Sequence, residues 1–191
     1  MNRLLKNTVV ALLSVLVVAC DGGESTSRPK VEVVTGHASP AAGSFDAVGF
    51  KCCDVPAAKN VVEAFVALGT ALAADDLPGS KGAAQAFSET LSADGPALTG
   101  DAEIVGKLSA LSRRMVGHSD LADIREDFLD ASTEVMALAR VHTAATGTPY
   151  AVAFCPMKPG RWLQTAPPLA NPYYGSQMLR CGTFESLSPA Q

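Results

Sequence analysis

Apolar side chains recur at three- and four-residue steps through the middle of the chain, which is the spacing of one face of an α-helix. The pattern predicts four helices, over residues 57–74, from Ser80 to a stop at Gly95-Pro96, over about 101–116, and over 120–143. The clearest stripe belongs to the last helix and consists of Ile124, Phe128, Ala131, Val135 and Leu138. Short loops between the helices favour a mainly α fold built as an antiparallel four-helix bundle.

The helix starts are marked by side chains that can cap a first turn. Ser80 is the expected N-cap of the second helix, and Ser119 or Asp120 that of the fourth. After the fourth helix the period changes, since Tyr150 to Phe154 is a short β-prone run and Pro and Gly interrupt everything beyond it. This C-terminal strand and loop segment is too apolar to stand apart, so we expect it to pack on the bundle.

The amino terminus has the composition of a signal peptide. Arg3 and Lys6 precede an apolar run, Val9 to Val18, that is too short to span a bilayer. The run ends in Ala19-Cys20, which resembles the bacterial lipobox, whose cysteine is lipidated and becomes the first mature residue. The alternative is an ordinary secretory peptide in which Cys20 is a plain thiol.

These signals divide the chain into three parts. Residues 1–19 are the predicted lipoprotein signal peptide, 20–50 a lipid-anchored flexible tether, and 51–191 a single helical domain with a C-terminal Cys/Met motif. The expected location is the bacterial cell envelope, on the periplasmic or extracytoplasmic face, with the membrane contacted through lipid on Cys20. The choice between inner and outer membrane stays open.

Charge and motif content exclude several classes of function. The chain has a net charge of −4 and no concentrated basic face, so nucleic acid is not an expected partner. The sequence contains no Gly-x-Ser-x-Gly, no His-Glu-x-x-His and no phosphate-binding loop. We therefore expect a protein that is not an enzyme.

Two soft sulfur pairs, Cys155-x-Met157 and Met178-x-x-Cys181, stand near the carboxyl end. Thiols and thioethers with few carboxylates or imidazoles nearby suit copper(I) better than zinc, calcium or magnesium. Side chains two apart on an extended segment face the same way, and side chains three apart meet on a helical turn or a tight loop. If the chain folds back between the pairs, which a turn at Asn171 favours, the four sulfurs converge on one ion.

Other arrangements of the sulfur atoms stay open. In an oxidising envelope Cys155 and Cys181 could form a disulfide that staples the tail. Cys52 and Cys53 are adjacent and rarely bond each other, so they could bridge to the other two cysteines or supply a second soft pair. His142, on the apolar side of the fourth helix, is either a further ligand or a hydrogen-bonded core histidine.

Several polar residues of the helical part are expected to be solvated. They are His118, in the loop before the fourth helix, and the acidic pairs Asp75-Asp76 and Glu126-Asp127. His37 lies in the tether, where no specific role is expected.

The residues around the sulfur pairs resemble a known bacterial family. The resemblance rests on Cys155-Pro156-Met157, Trp162-Leu163, Asn171-Pro172-Tyr173-Tyr174-Gly175-Ser176 and Met178-Leu179-x-Cys181-Gly182. Weaker similarity covers Ala71-Leu72 before Asp75-Asp76, and Arg125-x-x-Phe128-x-x-x-Ser132. Over about residues 57–184 the chain is similar to the family catalogued as domain of unknown function 3347, found in envelope proteins and on adaptor subunits of heavy-metal efflux pumps.

The resemblance implies a helical domain with a copper-associated sulfur site that handles or senses metal outside the cytoplasm. A free-standing lipoprotein is the expected form, with a metal efflux or copper-handling protein as a candidate partner. The hypothesis is a membrane-anchored envelope protein that binds copper(I) through Cys155, Met157, Met178 and Cys181, for copper handling, buffering or tolerance. The alternative is a non-metal lipoprotein whose disulfide-stapled helical bundle is a protein-interaction module.

Overall fold

The computed structural model describes residues 44–187, which form a mainly helical fold with a small antiparallel sheet. The helices are α1 (Phe45–Val48), α2 (Pro56–Ala73), α3 (Leu77–Asp94), α4 (Ala102–Gly117) and α5 (Leu121–Val141). The strands are β1 (Phe50–Cys52), β2 (Thr148–Cys155), β3 (Gly160–Gln164) and β4 (Thr183–Glu185). The predicted signal peptide, the Cys20 anchor, His37 and most of the predicted tether lie outside these residues.

The long helices α2 to α5 occur where the apolar period predicts them, but one start is different. Asp76, and not Ser80, caps α3, because its carboxylate accepts a hydrogen bond from the N–H of Gly79 at 2.9 Å. Ser80 lies inside the helix and is fully buried. The predicted cap at Asp120 is confirmed, since its side chain accepts from the N–H of Asp123 at 3.0 Å.

A cluster of phenylalanine rings joins three of the helices. Phe65 of α2 and Phe128 of α5 stack face to face with ring centroids 4.4 Å apart. Phe65 also packs on Phe87 of α3, at a centroid distance of 5.5 Å. All three rings are buried, and burying such a side chain contributes about 2 kcal/mol. The apolar stripes read from the sequence therefore face one shared core, in which each long helix contacts the next and α2 contacts α5.

The sheet is larger than the single strand that the sequence predicts. β2 is its central strand and pairs antiparallel with each of the others. Val152, for example, lies between Leu163 of β3 and Glu185 of β4. The other strands have only three to five residues, so no period identifies them, and they exist because β2 supplies their hydrogen-bonding partner. The sheet packs on the helices through β3, which contacts α5 and α2.

The fold includes residues that were predicted to belong to the tether. The ring of Phe45 in α1 packs edge-on against Phe184 of β4, with centroids 5.6 Å apart. Phe50 of β1 lies beside Tyr150 of β2, at 6.1 Å. Residues 44–50 are thus part of the packed structure.

None of the helices within residues 44–187 is long and apolar enough to cross a membrane.

Candidate sulfur site

Cys155 and Cys181 come together at the edge of the sheet, with their Sγ atoms 3.9 Å apart. Cys155 is the last residue of β2, and Cys181 precedes β4. Because Phe154 pairs with Thr183 across these antiparallel strands, the two cysteines just beyond that pair are neighbours. Both are thiols in the structure, Cys155 buried and Cys181 half-buried. The two thiols of the predicted cluster therefore do converge.

The Cys155 sulfur is surrounded by hydrogen-bond donors. Burial opposes ionisation of this thiol, but it receives hydrogen bonds from the backbone N–H groups of Lys158 and Met157, from the Asn171 side chain and from Cys181. Together these donors lower the pKa of Cys155 below its ordinary value. Burial raises the pKa of Cys181, and the hydrogen bond and charge of Cys155 raise it further. Of the two thiols, Cys155 is therefore the one that loses its proton first as the pH rises.

Asn171 connects the two halves of the site. Its side chain is fully buried and donates from Nδ2 to the carbonyl oxygen of Cys181 at 3.0 Å. Its Oδ1 accepts from the N–H of Tyr173 at 2.9 Å, which forms the turn expected from the sequence. The bonds to both cysteines were not predicted, since they depend on how the loop after β3 folds back onto β2.

The methionines differ in their placement. Met178 is half-buried, and its carbonyl oxygen accepts from the N–H of Cys181 at 2.9 Å, so the predicted tight turn is present. Met157 lies in the turn that joins β2 to β3, and it is 62% exposed. The expectation that Cys155 and Met157 share one extended segment is wrong, because β2 ends at Cys155. The turn brings the Met157 N–H, rather than its side chain, to the Cys155 sulfur.

Aromatic and glycine residues surround the site. Trp162 and Tyr173 are buried and pack edge to face, with centroids 5.7 Å apart. The Tyr174 hydroxyl donates to the Met157 carbonyl at 3.2 Å and ties the β2–β3 turn to the loop. Gly182 has φ +143°, and a Cβ there would stand 2.7 Å from the Phe154 carbonyl oxygen. Only glycine allows the chain to approach β2 so closely directly after Cys181.

An ion pair between Asp75 and Arg125 fastens the same loop to the helices. Arg125 of α5 donates to the carbonyl oxygens of Pro172 at 2.8 Å and Leu72 at 2.7 Å, and to the Asp75 carboxylate at 2.5 Å. Asp75 follows the α2 cap with φ +55°. It also accepts from the N–H of Ser176 at 2.7 Å. The expectation that Asp75 is a solvated helix end is wrong, because the carboxylate binds both α5 and the loop.

The electrostatics of this contact follow from its geometry. Hydrogen bonds from Ser176, followed by those from Arg125, lower the pKa of Asp75 to about 2. Gly175 packs directly against both charged groups, with φ +55° and no room for a Cβ beside the Asp75 carboxylate. We call these residues, Asp75, Arg125, Gly175 and Ser176, the loop clamp.

Cys52 and Cys53 form a disulfide with each other across a cis peptide bond. The expectation that adjacent cysteines would not pair is therefore wrong, and so are the suggested bridges to Cys155 and Cys181. Both residues are buried, Cys52 as the last residue of β1 and Cys53 directly after it. Their sulfurs are bonded to each other and are not free thiols for the site.

Histidines and acids outside the sulfur site form pairs that brace α4 against α5. His142 caps α5 and its Nε2 lies 2.8 Å from Asp101 Oδ2, at the start of α4. Of the two roles considered for it, the hydrogen-bonded one is observed. His118 and Asp127 were expected to be solvated, but Asp127 is buried and its Oδ2 lies 2.8 Å from His118 Nε2. Arg114 also pairs with Asp127.

Within residues 44–187 no group of three or more His, Cys, Asp or Glu side chains could hold a metal ion. Among the described residues the Cys155–Cys181 pair therefore supplies two donors of this kind. The structure thus defines a mainly helical protein with a paired-thiol site at the edge of a small sheet. Comparisons with protein-family models, curated proteins and solved structures return no match.

Proposed function

We propose that the protein binds copper(I) through Cys155 and Cys181, with Met178 and Met157 as the further sulfur donors. The observation that carries this proposal is the 3.9 Å separation of the two Sγ atoms. Sulfurs at this distance can each lie about 2.3 Å from one shared ion, with an S–metal–S angle of about 115°. The two thiols therefore need little rearrangement to become ligands of the same metal.

The donor set favours copper(I) over zinc. A structural zinc site takes four ligands from Cys, His, Asp and Glu, and the described residues offer only the two thiols here. Thioether sulfur is a soft donor that selects copper(I). The hydrogen bonds on the Cys155 sulfur act in the same direction, because they favour the thiolate that a metal requires.

The two methionines would contribute unequally. Met178 sits on the turn that carries Cys181, and the hydrogen bond from the Cys181 N–H to the Met178 carbonyl oxygen fixes the backbone of both residues. Met157 is exposed and would have to rotate onto the site, so it is the more weakly held donor. Its flexible side chain permits this movement.

We also propose that the chain belongs to the domain of unknown function 3347 family. Support comes from the contacts among the residues that carry the resemblance. Asn171 bonds Cys155 and Cys181, and the Tyr173 hydroxyl donates to Ser132 at 3.3 Å. The similarity in the helical part includes Asp75 and Arg125, which hold the loop of the C-terminal signature.

In this proposal α2 to α5 are an antiparallel four-helix bundle, supported by the contacts of each helix with the next and of α2 with α5. The domain would be anchored at Cys20 on the extracytoplasmic face of the cell envelope. There it would buffer copper or pass it to an efflux or copper-handling partner.

The test is a titration of the reduced full-length protein with copper(I) against a competing chelator. Cys181→Ser should weaken binding at least about a hundredfold, since even residues outside the ligand shell cost 10- to 100-fold. Met178→Leu should weaken it while changing stability by less than about 1.5 kcal/mol, because the two side chains have similar volume. Met136→Leu in α5 is the matched control and should bind as the wild type does.

Reduction also opens the Cys52–Cys53 disulfide, so its thiols need a separate control. The double variant Cys52→Ala/Cys53→Ala should retain wild-type copper affinity. If wild-type protein binds no more tightly than Cys181→Ser, or if the double variant loses the affinity, the copper site is not the one proposed.

A further inference from the structure

The two thiols of the site differ in their access to solvent. Cys155 has no exposed surface, whereas Cys181 is half-buried. A dissolved thiol or disulfide therefore has no access to the Cys155 sulfur, and Cys181 is the accessible residue of the pair. Thiol–disulfide exchange requires direct contact between the attacking and the attacked sulfur.

Building on the copper site proposed above, we propose that Cys181 and Cys155 form a reversible disulfide that regulates copper binding. Cys181 exchanges with external low-molecular-weight disulfides, and Cys155 is its buried partner. Formation of this bond removes both thiols from the metal. The same two residues would thus bind copper when reduced and release it when oxidised.

The exchange balances in two steps. Cys155 is the more acidic thiol but is buried, so the attack comes from the less abundant Cys181 thiolate. It attacks one sulfur of an external disulfide, giving a mixed disulfide on Cys181 and releasing one external thiolate. The Cys155 thiolate then attacks the Cys181 sulfur, forming the Cys155–Cys181 bond and expelling the second external thiolate. Overall, two protein thiols are oxidised, and one external disulfide is reduced to two thiols, which take up the two protons.

The structure favours both the formation of the Cys155–Cys181 bond and its cleavage during reduction. The sulfurs are already 3.9 Å apart, so side-chain rotation over a short distance closes the bond. During reduction an external thiolate attacks Cys181, and Cys155 is the leaving group. The N–H groups of Met157 and Lys158 and the Asn171 amide bond the departing Cys155 sulfur, and this stabilises its release.

The backbone around Cys181 is held in place although the residue is only half-buried. Its carbonyl oxygen is held by Asn171 and Gly182 is pressed against β2, so the backbone is fixed while the side chain keeps its exposed surface. A fixed backbone holds the two sulfurs in register through both steps.

The test treats metal-free full-length protein, with its thiols reduced and the reductant removed, with glutathione disulfide, and maps the products by mass spectrometry of peptides. Wild-type protein should yield the Cys155–Cys181 disulfide. Cys155→Ser should accumulate a glutathione adduct on Cys181, because the second step is lost. Cys181→Ser should form adduct on Cys155 at least tenfold more slowly. Circular dichroism checks that each variant is folded. Cys155→Ala repeats the test of Cys155→Ser with a different side chain.

Two outcomes would overturn the inference. One is equal or faster adduct formation on Cys155 than on Cys181, and the other is an absence of the Cys155–Cys181 disulfide in wild-type protein. Because no copper is present, the result is independent of the metal titration. A protein that exchanges as expected but does not bind copper contradicts the proposed function and the regulation of a copper site, and leaves the disulfide exchange between Cys181 and Cys155 established.

Discussion

Asn171 joins the two cysteines of the site: its Nδ2 donates to the carbonyl oxygen of Cys181 at 3.0 Å, and its side chain also bonds the Cys155 sulfur. These two cysteines are far apart in sequence, so a buried amide that contacts both fixes their spacing. The contact makes Asn171 a positioning residue of the proposed copper site, and it can be tested separately from the ligands.

We expect Asn171→Ala to lower the free energy of unfolding by about 2 kcal/mol, because buried groups lose their hydrogen-bond partner. Copper(I) affinity should fall about 10- to 100-fold, as for other residues that orient metal ligands. The pKa of Cys155 should rise, since its thiolate loses a donor. Denaturant unfolding, chelator competition and thiolate absorbance against pH measure these effects. Asn60→Ala, at an exposed hydrogen bond to Asp94, is the control and should leave affinity and thiol titration unchanged.

The loop clamp predicts a stability change at acidic pH. The folded-state pKa of Asp75 is lowered from 3.8 to about 2, so its stabilisation is present above the unfolded value and is lost as pH falls from about 4 to about 2. The carboxylate is one-third exposed, so water screening reduces the contribution to about 1 kcal/mol. Asp75→Asn should therefore be less stable than wild type near neutral pH, and the difference should shrink through this window.

Urea unfolding at a series of pH values measures that difference. Asp54→Asn, at an exposed carboxylate before α2, is the matched control and should have little effect. A constant difference between Asp75→Asn and wild type across the acidic range would show that ionisation of Asp75 is not the source of the stabilisation.

Gly175 should not tolerate a side chain. Gly175→Ala places a Cβ against the Asp75 carboxylate at a backbone φ of +55°, which should cost about 1–3 kcal/mol. Gly82→Ala is the matched control, because this helical glycine is exposed and a Cβ there meets nothing within 4 Å. It should stabilise the protein by up to about 1 kcal/mol. Thermal or denaturant unfolding compares the two, and opposite signs are expected.

His142 provides a test of which residues bind the metal. His142 follows the last turn of α5, and its Nε2 is hydrogen-bonded to Asp101, the residue before α4. His142→Gln should lower the free energy of unfolding by about 1 kcal/mol through the loss of this contact. Copper(I) affinity should stay at the wild-type value in the chelator competition. A drop in affinity comparable to that of Cys181→Ser would make His142 a ligand.

The helical part could be predicted well because its signal is local. The stripe containing Ile124 and Phe128 buries as expected, since residues three and four apart on a helix always share a face. The three-residue spacing of Met178 and Cys181 likewise predicted the tight turn that joins them. The prediction that Met157 continues the strand of Cys155 was wrong, because the end of β2 is set by its pairing with β3 and not by the residues that follow Cys155.

The sequence by itself determined the helices, the apolar faces and the set of sulfur residues, because each depends on neighbours along the chain. The tertiary structure decided which sulfurs meet. It paired Cys52 with Cys53, brought Cys155 to 3.9 Å from Cys181, and used Asn171, Asp75 and Arg125 to hold that arrangement. The approach of Cys155 to Cys181 is fixed by strand pairing and loop closure between distant segments, and spacing along the chain does not encode that distance.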